Sequence, residues 1–217
     1  VVYDVRSDST GPQSGGQPGL NVYESGAGNA VLAWAGGGLW QEAVLPSQVR
    51  YVDPASAGGD GTTTALSGAN AAYASLDAAL TAEAQDLTGI ACDILDDDGA
   101  YTIAMDIICG GSSVDTVQCT LDQTEWVTDA THRLRIRTAT KTGAKWDASA
   151  YRLVASPGYA VGTFHVGRAI NLDLDAQIET GSGKNLAASA VRLANFVYDI
   201  RVYGGFYRQT STSGTYE

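Results

Sequence analysis

The sequence has few cysteines, histidines and methionines, and it has no long apolar run. Of 217 residues, three are cysteine, two are histidine and one is methionine. The longest apolar stretch, Ala30 to Trp40, is interrupted by glycines and is far shorter than the roughly 20 residues that a membrane-spanning helix needs. We therefore expect no membrane insertion. The first residues, Val1 to Asp4, lack the basic start and apolar centre of a signal peptide, so we expect either use without export or earlier processing.

Lysine is also scarce, and negative charge is in excess. The sequence has 24 acidic and 13 basic residues, and only three of the bases are lysines. A surface with this net charge of −11 repels phosphate backbones, which argues against a nucleic-acid partner. Aspartate supplies 18 of the acids. Acidity of this kind is typical of a soluble surface or of a protein from a high-salt environment.

The same scarcity limits the chemistry that the chain can carry. None of Cys92, Cys109 and Cys119 forms a Cys-x-x-Cys pair; Cys109 and Cys119 bridge only if neighbouring strands bring them together, and reduced core thiols are the default. His132 and His165 have no zinc-ligand spacing. The run from 96 to 99 lacks the upstream acid of a calcium loop. We predict no metal and no cofactor.

Glycine is abundant, and its distribution divides the chain into two regions of different composition. The 26 glycines and the low charged fraction of 17% are typical of a β-rich or turn-rich globular protein. Residues 1–48 are glycine-broken and too short to bury much surface alone, so we predict a small N-terminal segment there and a larger domain over residues 49–217. We expect the segment to attach to something outside it. The candidate attachment residues are Val31, Leu32, Trp34, Leu39 and Trp40.

The second domain begins with a strand, a loop and a helix. Tyr51-Val52 runs into Asp53-Pro54 and a Gly/Ser/Thr-rich loop, and apolar residues then recur with helical spacing from Ser75 to Leu87. Ser75 is the predicted N-cap. The apolar face includes Leu76, Leu80 and Leu87, which suits it for burial.

Beyond the helix, the apolar period changes to two, which indicates strands. Strand-like segments at 90–95, 101–108, 114–121 and 134–138 are separated by turn residues. A repeat follows. Leu172, Leu174 and Ile178 align with Ile200, Val202 and Phe206 at an offset of 28, and Phe164 to Val166 aligns with Val191 to Leu193 at an offset of 27. Periods of this length are typical of solenoids.

The order of strand, Asp53-Pro54, glycine-rich loop and amphipathic helix resembles the beginning of the right-handed parallel β-helix of pectate lyases and of many bacteriophage tailspikes. The resemblance implies a mainly β fold in which Leu76, Leu80 and Leu87 form a helix cap over the end of the solenoid. It also implies a virion protein of the tailspike or tail-fibre type: its N-terminal segment binds other virion proteins, three chains form a homotrimer, and the solenoid contacts host-surface glycan. We expect further chain or a neighbouring subunit to cover the far end.

The residues themselves favour a chain without catalytic activity. Asp173 and Asp175 share one face of a strand, but alternating aspartates commonly keep an outer face hydrated, and Arg201 is placed to pair with Asp173. The candidate glycan contacts are Trp126, Trp146, Tyr151, Asp173 and Asp175. Two alternatives remain open: a polysaccharide lyase or glycoside hydrolase on the same fold, and a bacterial surface adhesin.

Overall fold

The computed structural model describes residues 23–24, 31–34, 40–43, 48–96, 98–139, 146–155, 162–180, 189–193, 199–202 and 206–209. The chain is mainly β, with parallel sheets and one short helix among the described residues. It divides into two compact units, residues 1–46 with 89–91 and residues 47–88 with 92–217. The division lies two residues before the predicted one.

The first unit contains an antiparallel sheet of three described strands, in the order β1-β2-β3. These strands are β1 (Tyr23–Glu24), β2 (Val31–Trp34) and β3 (Trp40–Ala43). Trp34 lies directly opposite Trp40 in the register of β2 and β3. Four of the candidate attachment residues therefore lie on β2 and β3, and Leu39 lies outside the described residues. Their role in attachment stays a prediction.

The second unit contains the remaining described strands and the helix. The strands before the repeat region are β4 (Gln48–Val52), β5 (Ile94–Leu95), β6 (Tyr101–Cys109), β7 (Val114–Asp115), β8 (Cys119–Leu121) and β9 (Arg133–Thr138). Those that follow are β10 (Arg152–Ala155), β11 (Gly162–Val166), β12 (Asn171–Asp175), β13 (Gln177–Thr180), β14 (Ser189–Leu193), β15 (Asp199–Val202) and β16 (Phe206–Gln209). The helix, α1, spans Leu76–Ala82 between β4 and β5.

Successive strands of the chain belong in turn to three parallel sheets. The six-stranded sheet has the order β15-β12-β9-β6-β4, and β5 joins it by antiparallel pairing with β6. The four-stranded sheet has the order β16-β13-β10-β7, and the three-stranded sheet has the order β14-β11-β8. From β6 onward, each strand pairs in parallel with the strand three positions later. One circuit of the chain thus adds one strand to each sheet.

The core lies on the inner face of these sheets, where apolar residues stack in register. In the six-stranded sheet, Met105 lies opposite Leu134, which lies opposite Leu172. All three side chains are fully buried. Each fully buried side chain of this size stabilises the fold by about 1.5–3 kcal/mol relative to exposure. The apolar period of two in the sequence therefore arises because every second residue of a strand faces the core.

The predicted repeat is confirmed except at its end. Leu172 pairs with Ile200, Leu174 pairs with Val202, and β11 pairs with β14 in the predicted register. The predicted pairing of Ile178 with Phe206 is wrong by one residue, because Ile178 lies opposite Tyr207. Ile178 lies four residues after Leu174, whereas Tyr207 lies five residues after Val202, so the offset between paired residues grows from 28 to 29.

The predicted strand over 114–121 is two strands that belong to different sheets. Between β7 and β8, the Asp115 carboxylate accepts a hydrogen bond from the Val117 N–H at 3.0 Å, which stabilises a turn at the corner. An aspartate within an apolar run was therefore a turn signal. The predicted strand over 90–95 is likewise shortened to β5.

The start of α1 follows from a local capping interaction. Ser75 is the N-cap, and its hydroxyl accepts a hydrogen bond from the Ala78 N–H at 3.1 Å, as predicted. Asp77 lies in the first turn, where the helix dipole favours a negative charge.

The helix ends at Ala82 rather than at the predicted Leu87, because the following backbone pairs elsewhere. The Leu87 N–H donates to the Val127 carbonyl, and the Val127 N–H donates to the Gln85 carbonyl. Two hydrogen bonds to a distant segment thus replace a further helical turn. Leu76, Leu80 and Leu87 are nevertheless fully buried.

Hydrogen bonds connect α1 and its flanks to the first described strand of each parallel sheet. The Leu76 N–H donates to Asp115 on β7 at 2.8 Å, and the Thr120 N–H on β8 donates to Asp77 at 3.4 Å. Arg50 on β4 donates to Glu83, just beyond the helix, at 2.7 Å. The helix therefore lies at the end of the sheets where β4, β7 and β8 are found.

Replacing Leu80 with alanine tests the contribution of this helix. We expect Leu80→Ala to lower the free energy of unfolding by about 2–5 kcal/mol, because the change leaves a cavity beneath a fully buried side chain. Chemical denaturation followed by circular dichroism measures the loss.

Leu66→Ala is the matched control, since Leu66 is 48% exposed. We expect it to change the free energy of unfolding by less than about 0.5 kcal/mol. Equal losses in the two variants would contradict the packing role of α1.

Candidate functional site

The outer face of the six-stranded sheet carries most of the charged side chains that the structure brings together. On β9, Leu134 and Ile136 point into the core, so the alternating Arg133, Arg135 and Arg137 lie on the other face. The register then places side chains of opposite charge side by side. We define the charge ladder as Asp106, Arg135, Asp173 and Arg201, which are successive register partners on β6, β9, β12 and β15.

Asp106 is neutralised by two arginines of β9. Its side chain is 2% exposed. Arg135 donates to both carboxylate oxygens, at 3.0 Å from Nε and 2.7 Å from Nη2, and Arg137 Nε lies 3.0 Å from Oδ2. This two-point geometry is the strong form of an arginine–carboxylate pair. Asp106 has no oxygen that lacks a charged partner.

Arg133 is the most deeply buried cation among the described residues, with no exposed side-chain surface. Its Nε donates to Asp173 Oδ1 at 2.6 Å, and its Nη1 donates to Asp199 Oδ2 at 2.8 Å. Nη2 donates to the carbonyls of Leu172 and Asp199. A buried guanidinium is tolerated only when its donors are satisfied in this way.

The position of Asp173 corrects two expectations. The residue is 1% exposed, so it does not point to solvent as a glycan contact, and its ion pair is with Arg133 rather than with Arg201. Burial raises the pKa of Asp173 above its usual value, while the hydrogen bond from Arg133 opposes the rise. Asp175, two residues on, is half-buried. The two aspartates do not form an exposed pair.

Two of the three aromatic residues named as candidate glycan contacts are core residues. Trp126 is fully buried, and its indole N–H donates to the Leu80 carbonyl at 3.1 Å. Tyr151 is also fully buried, and its hydroxyl donates to Asp115 at 2.8 Å. Only Trp146 of the three is partly exposed. Trp126 and Tyr151 are core residues because each buries a ring and satisfies its polar atom.

A second cluster that the sequence did not reveal lies in the core beside α1. Asp115 is buried and accepts hydrogen bonds from the Leu76 N–H, the Val117 N–H and the Tyr151 hydroxyl. Burial raises the pKa of Asp115, and burial also raises the pKa values of Tyr151, Cys109 and Cys119. Tyr151 therefore remains protonated and donates its hydrogen bond. The cluster supports the helix rather than a reaction.

Among the described residues, Cys92, His132 and Asp129 carry the side-chain types of a catalytic thiol with its base. His132 Nδ1 lies 2.9 Å from Asp129, but the Cys92 thiol donates to the Thr131 carbonyl at 3.1 Å. Burial and the negative charge of Asp129 raise the pKa of Cys92 to about 11. Because the thiolate is the reactive form, this thiol is not activated at neutral pH. Cys109 and Cys119 are free thiols in the core.

Within the described stretches, no group of three or more histidine, cysteine, aspartate or glutamate side chains is placed to hold a metal ion. No described helix has the length and apolar character to cross a bilayer. The missed site residues are Asp106, Asp115 and Arg133. The alternation of arginine with leucine and isoleucine in β9 was the available signal for Arg133.

Replacing Arg133 tests whether this ionic pairing is structural. We expect Arg133→Met to lower the free energy of unfolding by about 3–5 kcal/mol, because it leaves the buried Asp173 carboxylate without its partner. The control is Arg137→Met on the same strand, whose side chain is 32% exposed and whose partner Asp106 retains Arg135. We expect a loss below about 1 kcal/mol there. Similar denaturation midpoints for the two variants would contradict the assignment.

The chain was also compared with known proteins. No protein-family model, curated protein or solved structure matches it.

Proposed function

We propose that the three parallel sheets are the faces of a right-handed parallel β-helix. The rotation of strands among the sheets supports this, because each circuit adds one strand to every face and stacks apolar residues inside. We further propose that α1 is the cap of the helix, with Leu76, Leu80 and Leu87 over its first circuit. The support is their complete burial and the hydrogen bonds from α1 and its flanks to β4, β7 and β8.

We infer that the chain is a structural component of a bacteriophage virion appendage, of the tailspike or tail-fibre type. In this proposal, residues 1–48 anchor it to other virion proteins, three chains associate, and the solenoid projects toward host-surface glycan. The virion assignment rests on the resemblance of residues 51–87 to the beginning of such solenoids.

One observation carries the choice of a structural role over a catalytic one. Two carboxylates on the outer face of the six-stranded sheet are already engaged by arginines: Asp106 pairs with two of them, and Asp173 is buried against Arg133. Glycan cleavage by a pair of carboxyl groups needs one group that donates a proton and a second that attacks the sugar or activates a water molecule. Both groups must be accessible to the sugar. Asp106 and Asp173 are not open. The ion pairs on this face hold neighbouring strands of the sheet together.

A glycan-cleavage assay tests this directly. We expect the purified chain to release no new reducing or unsaturated ends from capsular polysaccharides or lipopolysaccharides. Cleavage that disappears in Asp173→Asn or Asp175→Asn, with folding retained, would establish the enzyme alternative instead.

Removal of residues 1–46 tests the anchoring role. We expect the shortened chain to keep its β-type circular dichroism spectrum but to be missing from purified particles when the deletion replaces the natural gene. Immunoblotting of particles measures incorporation, and the full chain with the same epitope tag is the control. Equal incorporation of the two chains would contradict the proposed anchor.

A further inference from the structure

A short segment covers the charge ladder from outside. We define the strap as residues 94–96 and 98–100, which comprise β5 and described residues of the turn that leads into β6. The Leu95 carbonyl accepts a hydrogen bond from Arg135 on β9 at 3.0 Å. Asp96 and Asp98 accept from Arg201 on β15, at 3.1 Å and 3.4 Å. The strap therefore reaches from the edge of β6 to β15, across the outer face of the sheet.

Asp173 lies beneath this crossing. It is the register partner of both Arg135 and Arg201, the two side chains that bind the strap. This explains how a residue on the outer face of a sheet is only 1% exposed. Among the described residues, no group donates a hydrogen bond to Asp173 Oδ2, which is itself buried. A buried carboxylate oxygen without a donor is costly, and this desolvation favours the protonated form of the carboxyl group.

The strap also places the negative charge of Asp96 near Asp173. Asp96 is 6% exposed and is held ionised by hydrogen bonds from the Ala100 N–H and the Thr102 hydroxyl, and its charge disfavours ionisation of Asp173. A docked strap and an ionised Asp173 therefore oppose each other. Among the residues that the structure describes, the charged groups around Asp173 are as follows: Arg133 and Arg135 on β9, Asp199 and Arg201 on β15, Asp106 on β6, Asp175 on its own strand, and Asp96 and Asp98 on the strap.

We propose that the strap is a proton-linked cover, whose docking over the six-stranded sheet is coupled to protonation of Asp173. When Asp173 loses its proton, undocking of the strap lets water reach Oδ2 and frees Arg201, its register neighbour, to pair with it. When Asp173 holds a proton, the docked state does not bury an ionised carboxylate with one oxygen that lacks a donor.

The direction of the pH dependence follows from Asp173. Burial raises the pKa of Asp173 in the docked state, so docking weakens as the pH rises above the usual aspartate value of about 3.9. Burial disfavours the charged form of Asp96, and the hydrogen bonds that outweigh it come from residues 98–102 of the same segment, so they persist without docking. Docking therefore declines from acid toward neutral pH.

A spin label on the strap measures docking. Ala100 is exposed, so Ala100→Cys in a Cys92→Ala background accepts a nitroxide, and Cys109 and Cys119 are too buried to react. We expect the mobile fraction of the spectrum to be small near pH 4 and to grow toward neutral pH. The ratio of mobile to immobile label should rise by up to about tenfold per pH unit while Asp173 titrates.

Two variants distinguish an effect of the proton on Asp173 from a general loosening of the strap. Asp173→Asn cannot ionise and keeps an acceptor for Arg133, so we expect its label to stay immobile up to pH 8. Asp175→Asn, two residues away on the same strand, should keep the wild-type profile. A wild-type line shape that does not change between pH 4 and pH 8, or an identical profile in Asp173→Asn, would overturn the proposal.

The wild-type chain gives an independent result if Asp173→Asn does not fold. Carboxyl carbon NMR shifts report the titration of each aspartate directly. We expect Asp173 to titrate above the usual aspartate range, at the same pH as amide shift changes at Gly99 and Ala100. Titration of Asp173 within or below the usual range would also overturn the proposal.

Discussion

In-register parallel pairing is the constraint on which the second unit depends. Because each strand lies beside the strand one circuit away, a side chain at a given position meets its counterpart in the next circuit on both faces. On the inner face this stacks Met105, Leu134 and Leu172. On the outer face the same geometry would stack like charges if the acids and bases were not alternated. Asp106, Arg135, Asp173 and Arg201 alternate, so one geometric rule accounts for both the core and the ladder.

The excess of aspartate has a structural explanation that composition alone did not supply. Asp60, Asp86, Asp129 and Asp147 each accept hydrogen bonds from the backbone N–H and the hydroxyl of the serine or threonine two residues later. Aspartate is favoured at turns because its short side chain bonds its own backbone in this way. A chain that changes direction at every corner needs many such residues. Part of the acidity therefore has a structural role in the turns.

The sequence predicted the features that depend on neighbouring residues or on a regular period. The Ser75 cap, the alternation of the strands and the register of β12 with β15 were all readable, since capping and alternation are local and the last circuits are nearly equal in length. The offset from Leu134 to Leu172 is 38 and that from Cys119 to Phe164 is 45, rather than 28 or 27, so these pairings did not show as a repeat.

The features that were wrong depend on partners far away in the chain. Asp173 looked solvent-facing because its strand alternates, and its burial follows from Arg133 and from a strap nearly 80 positions earlier. Trp126 and Tyr151 looked like surface aromatics because they lie beside loops, and they are buried because Leu80 and Asp115 satisfy their polar atoms. No local pattern encodes such pairings.

The contact between Asp115 and the first residue of α1 also bears on the order in which the chain can fold. A helix of seven residues is too short to persist alone in water, because the cost of its first turn is not recovered over so few hydrogen bonds. The carboxylate that meets its N-terminus lies 39 residues later, at the corner between β7 and β8. That corner must be in place before α1 is fully supported. The helix precedes β7 and β8 in sequence but forms together with them, so a nascent chain that ends before β8 holds it only transiently.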